Sequence, residues 1–81
     1  MDRELQDYYE NRFGLFGTKG WKELIEDVEK IKESVDSLRG ADTLEQLYFK
    51  KGELSILNWI LNLEDSSKEV YDQLQEEAKD A

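Results

Sequence analysis

The chain has 81 residues and a formal net charge of −9, from 20 acidic and 11 basic side chains; apolar and charged residues each make up 38%. Cysteine and histidine are absent, which excludes disulfides, thiolate zinc sites, thiol nucleophiles and imidazole acid–base or metal chemistry. The length predicts one domain, 1–81, with a modest core, and the excess of acid opposes direct contact with nucleic acid or an anionic membrane.

With no proline and much Leu, Glu and Lys, the chain favours uninterrupted helices. A first helix is predicted over 2–12, where Leu5, Tyr8, Tyr9 and Phe13 fall at spacings that share one face. It is short and needs tertiary docking to persist. Gly14-Leu15-Phe16-Gly17-Thr18-Lys19-Gly20 follows, with glycine at every third position, and reads as a loop. Thr18 is the expected N-cap of the next helix.

The second helix, predicted over 19–39, carries the clearest pattern. Trp21, Leu24, Ile25, Val28, Ile31, Val35 and Leu38 advance in steps of three and four, the mark of one apolar face. Its other face holds Glu23, Glu26, Asp27, Glu29, Glu33 and Asp36, interrupted by Lys22, Lys30 and Lys32. Gly40 is placed to end it in a left-handed cap.

Asp42-Thr43-Leu44-Glu45 is expected to open a third helix over 43–63, with Asp42 as N-cap and Glu45 completing a capping box. Leu44, Leu47, Tyr48, Leu54, Leu57 and Leu61 form one stripe, and Phe49, Ile56, Ile60 and Leu63 a second, with Trp59 between them. A helix apolar on more than one side is either central to its fold or faces a partner chain. Gly52 stands in its middle, where it costs about 1 kcal/mol relative to alanine; the usual compensation is close approach of another helix, and the alternative is simple tolerance. A fourth helix, predicted over 66–79, would start at Ser66 with Glu69 at capping-box spacing; Val70, Tyr71, Leu74 and Ala78 give it a thin apolar face. The fold class is therefore all-α: a small bundle of three to four helices built on a long antiparallel helical hairpin, the short Gly40–Asp42 connection joining its two long members.

No residue constellation points to catalysis. Gly17-Thr18-Lys19 reverses the Lys-Ser/Thr order of a phosphate-binding loop and follows no strand, so chain reversal is its better account. No Asp-x-Asp-x-Asp-Gly calcium loop is present, and the many carboxylates lie on predicted polar faces, where water solvates them. No cofactor or metal is expected, and the chain reads as no enzyme.

Two surfaces remain for protein contact. Tyr8, Tyr9, Phe13, Phe16 and Trp21 are five of the nine aromatics and lie within the first 21 residues. They either seal one end of the bundle or dock a partner, with Phe13 and Phe16 as anchors. Phe49, Ile56, Trp59, Ile60 and Leu63 either cover the flanking helices or meet a second copy of the chain. The partner expected is a protein with a basic or apolar surface, a homo-oligomer among the options. The acidic stripe from Glu23 to Asp36 admits a further reading as a mimic of nucleic-acid phosphates, which the lysines weaken.

Leu47-Tyr48-Phe49-Lys50-Lys51-Gly52-Glu53-Leu54, continuing into Leu57-Asn58-Trp59-Ile60-Leu61-Asn62-Leu63, resembles small acidic helical proteins of tailed bacteriophages, over about half the chain. The resemblance implies a phage accessory protein. Such a protein is either a virion or assembly component or an inhibitor of a host nucleic-acid enzyme; no site residues carry over from it. Met1-Asp2-Arg3-Glu4-Leu5-Gln6 lacks the basic and apolar regions of a signal peptide. The apolar stretch Ile56 to Leu63, broken by Asn58 and Asn62, is too short to span a bilayer. The expected location is the cytoplasm, that of a host cell for a phage protein, or the virion.

Overall fold

The computed structural model describes residues 1–37 and 42–80. Four helices follow one another: α1 (Arg3–Phe16), α2 (Lys19–Asp36), α3 (Leu44–Leu61) and α4 (Leu63–Asp80). No strand occurs among the described residues, and the fold class is all-α, as the periodicity predicts. The expected Gly40 cap, with Leu38 and Arg39, lies outside the described residues.

Several helix boundaries differ from expectation, and α2 ends at Asp36, short of the predicted 39, with Ser37 in a bend. Helix α1 does not stop at Arg12 but continues through Gly14 to Phe16. A glycine inside a helix costs about 1 kcal/mol, and here the extra turn puts Phe13 and Phe16 on the face that carries Tyr9, at steps of four and three. The expected seven-residue loop shrinks to Gly17–Thr18. Asp2 caps α1, its carboxylate accepting from the Leu5 N–H at 2.8 Å. Thr18 caps α2 as predicted, accepting from the Trp21 N–H at 3.1 Å while its own hydroxyl donates to the Leu15 carbonyl at 2.7 Å.

At α3 the capping box is shifted by one residue. Thr43, not Asp42, accepts from the Gln46 N–H at 3.1 Å, and the Gln46 side chain accepts from the N–H groups of Thr43 and Asp42. Thr43-Leu44-Glu45-Gln46 thus forms the reciprocal Ser/Thr-x-x-Glu/Gln box one residue later than Asp42-Thr43-Leu44-Glu45. Helix α4 begins at Leu63, three residues before the expected Ser66. Ser66 is inside its first turn: its N–H donates to the Asn62 carbonyl at 2.9 Å and its hydroxyl to the Leu63 carbonyl at 3.3 Å. Leu63 thus opens α4 rather than closing α3, and Asn62 alone separates the two helices.

The chain sorts into two compact units. The first comprises 1–22 and 62–81, so it holds α1, the first turn of α2 and α4. Its interior is aromatic: Tyr9, Phe16 and Trp21 are buried, Phe16 with 5% of its surface exposed. The second comprises 23–61, the remainder of α2 with α3. Within it α2 and α3 run antiparallel, since the Lys50 ammonium donates to the Ser37 carbonyl at 2.7 Å while Ile31 lies opposite Gly52 and Ile56. Val28 is the residue of this unit that is buried outright among those described.

Candidate functional site

In the first unit, the aromatic positions singled out at the amino-terminal end converge on α4. Tyr9 and Phe13, one helical turn apart on α1, both meet Tyr71, at centroid distances of 5.7 and 5.2 Å; the Phe13–Tyr71 contact is edge-to-face. Phe13 is also 6.2 Å from Phe16, which lies 4.9 Å from Trp21. Such pairs add about 0.5–1.5 kcal/mol each beyond the area they bury. Tyr9 and Phe16 are therefore interior residues and Phe13 is half-buried. Tyr8 points outward, its ring edge-on to Tyr9 at 5.2 Å and beneath the Arg12 guanidinium at 4.6 Å, and Arg12 donates to its hydroxyl.

Arg12 also donates to the Ser67 hydroxyl on α4 at 3.3 Å. Ser67 is buried, with 3% of its surface exposed. A small side chain there lets α1 and α4 approach closely enough for the rings of Tyr9, Phe13 and Tyr71 to meet. The sequence offered a sign of this, since a serine three and four positions before Val70 and Tyr71 continues the apolar face of α4. Beside this contact an open depression of about 480 Å³ is walled by Phe13, Phe16 and Tyr71, with Glu64, Lys68 and Asp72 at its edge. Lys68 pairs with Glu64 at 3.5 Å.

The second unit carries the other predicted surface, and its character is different. Helix α3 is the most apolar of the four, above all from Ile56 onward. Leu47, Leu54, Leu57 and Leu61 are half-buried, whereas Tyr48, Phe49, Ile56 and Trp59 are 61%, 71%, 62% and 59% exposed. At 100° per residue, Phe49, Gly52, Ile56 and Trp59 fall on one face. Ile60 is half-buried beside them. Leu63, expected to extend this face, belongs to α4 and is half-buried.

An open groove of about 520 Å³ lies on that face, lined by Tyr48, Phe49, Gly52, Glu53 and Ile56 of α3 together with Ile31 of α2. A methyl group built on Gly52 would meet nothing within 4 Å. The roughly 1 kcal/mol that a glycine costs in a helix interior is thus not compensated by close packing inside the chain. Over Leu44–Leu61 the charges cancel, Glu45 and Glu53 against Lys50 and Lys51. The most apolar helix of a chain with net charge −9 is electrically neutral.

The acidic residues of α2, Glu23, Glu26, Asp27, Glu29, Glu33 and Asp36, are all exposed. Lys32, half-buried, shares a shallow cleft with Glu29, Glu33, Asp36 and Leu61, so positive charge stands within the stripe. Among the described residues no cluster of three or more His, Cys, Asp or Glu side chains could hold a metal ion, and no helix is long and apolar enough to cross a membrane. No protein-family model, curated protein or solved structure matches the chain.

Proposed function

We propose that this protein works by binding another protein, without catalysis, and that the exposed face of α3 makes the contact. One observation carries the reading: Tyr48, Phe49, Ile56 and Trp59 stay largely exposed beside a groove whose glycine, Gly52, packs against no neighbour among the described residues. Scattered single hydrophobic residues on a surface mean little, but a contiguous aromatic patch is the usual form of a contact site. The aromatic residues at the amino-terminal end have a different role, sealing the first unit.

The phage resemblance of the same segment supports an assembly or virion component, whose work is contact of this kind. The interrupted acidic stripe of α2 lends less support to an inhibitor of a host nucleic-acid enzyme. A photo-crosslinking residue in place of Phe49, in the full chain produced in cells, tests the proposal. A covalent adduct with a protein, whether this one or another, is expected. Irradiated chain recovered without any protein adduct, while a control residue at the buried Phe16 position behaves the same, would remove the α3 face as a binding site.

A further inference from the structure

Resting on that reading of α3, we infer that the protein bound on this face is a second copy of the same chain, the two α3 helices crossing at Gly52. Charge argues for it first. A chain of net charge −9 repels its own copies wherever acidic surfaces face one another. Helix α3 is where that repulsion is weakest, because two glutamates and two lysines cancel over its eighteen residues and Glu53 is the single carboxylate lining the groove.

Area argues next. Large side chains bury about 150–250 Å² each, so four that are roughly two-thirds exposed offer on the order of 500 Å² per copy. Two copies reach about 1,000 Å², the lower bound of a specific interface. Symmetry supplies the third argument. In a two-fold contact the residue at the axis meets its own image, and glycine is the residue that brings two helix backbones closest. Gly52 is centred between Phe49 and Ile56 on the exposed face, and open space lies above it. This placement gives a role to a mid-helix glycine that packs against no neighbour among the described residues.

The test is the mass of the purified full chain by sedimentation equilibrium across a wide loading range. An interface at the small end of the specific range implies a dissociation constant on the order of micromolar. The weight-average mass should therefore climb from 9.6 kDa towards twice that value as concentration rises. Gly52→Leu should weaken association at least tenfold while leaving the helical circular dichroism intact, because the monomer has room for the added side chain. Phe49→Glu combined with Ile56→Glu should abolish association.

A monomer at every loading would overturn the second-copy inference. In that case a crosslink from position 49 to a different protein would leave the binding role of α3 standing, and its absence would remove both. A dimer that is indifferent to Gly52→Leu and to the Phe49/Ile56 pair would place the interface elsewhere and overturn the inference as well.

Discussion

Arg12 on α1 donates a 3.3 Å hydrogen bond to the hydroxyl of Ser67 on α4, and Ser67 is the most deeply buried polar side chain among the described residues. The bond is long and one partner is charged, so its net worth is about 1 kcal/mol. The size of the serine matters more, because the α1–α4 aromatic contacts depend on close approach at this point. Ser67→Ala should cost no more than about 1 kcal/mol, whereas Ser67→Leu should cost about 1–3 kcal/mol through overpacking. Urea unfolding followed by circular dichroism checks both. Equal losses for the two variants would show that the hydrogen bond, not the spacing, governs the contact.

The two aromatic sets should respond oppositely to truncation. Phe16→Ala removes a ring buried against Phe13 and Trp21 and should destabilise the chain by about 3 kcal/mol. Phe49→Ala removes a ring that is mostly exposed and should change stability by less than about 0.5 kcal/mol in dilute solution. Thermal melts at low protein concentration provide the comparison. A large loss from Phe49→Ala would mean that this ring belongs to a core.

Capping offers a local check on the start of α3. Thr43→Ala should cost about 1 kcal/mol, since it removes the acceptor for the Gln46 N–H. Asp42→Ala should cost little, because the bond Asp42 makes to Gln46 uses its backbone. The difference in urea midpoint between the two variants decides which residue is the cap.

The net charge of −9 also predicts a salt response. Screening of like charges relieves self-repulsion in the folded chain, and α4 concentrates it, with Glu64, Asp65, Glu69, Asp72, Glu76 and Glu77 against Lys68 and Lys79. Raising sodium chloride should increase the melting temperature by a few degrees, an effect of about 1 kcal/mol at most. A fall in melting temperature would mean that attractive ion pairs outweigh repulsion.

Where a helix is amphipathic and its cap is strong, the sequence was enough. The stripe from Trp21 to Val35 and the hydroxyl of Thr18 locate α2 to the residue at its start. Glycine and serine misled, because both are weak breakers that tertiary contacts override. Gly14 is helical because the turn that contains it carries Phe13 and Phe16 to the interior, and Ser66 is helical because α4 starts at Leu63. The predicted face of Leu5, Tyr8, Tyr9 and Phe13 extends to Phe16 at the next three-residue step, across the glycine that the loop reading placed outside the helix. The exposure of Phe49 and Ile56 was beyond such reasoning, since a helix apolar on all sides has the same composition whether its faces are covered or open.

The Arg12–Ser67 bond joins residues 55 positions apart, and this separation governs how the chain is made. At synthesis rates of about 5–20 residues per second, α1 leaves the ribosome roughly 3–10 seconds before the part of α4 it packs on. During that interval Tyr9, Phe13 and Phe16 have no Tyr71 to meet, and a short helix containing a glycine has little stability alone. The first unit therefore forms only after translation has passed Tyr71, while α2 and α3, nearer in sequence, can associate earlier. Nascent chains stalled before residue 63 should present the α1 aromatics to chaperones, and chains released from the ribosome should not.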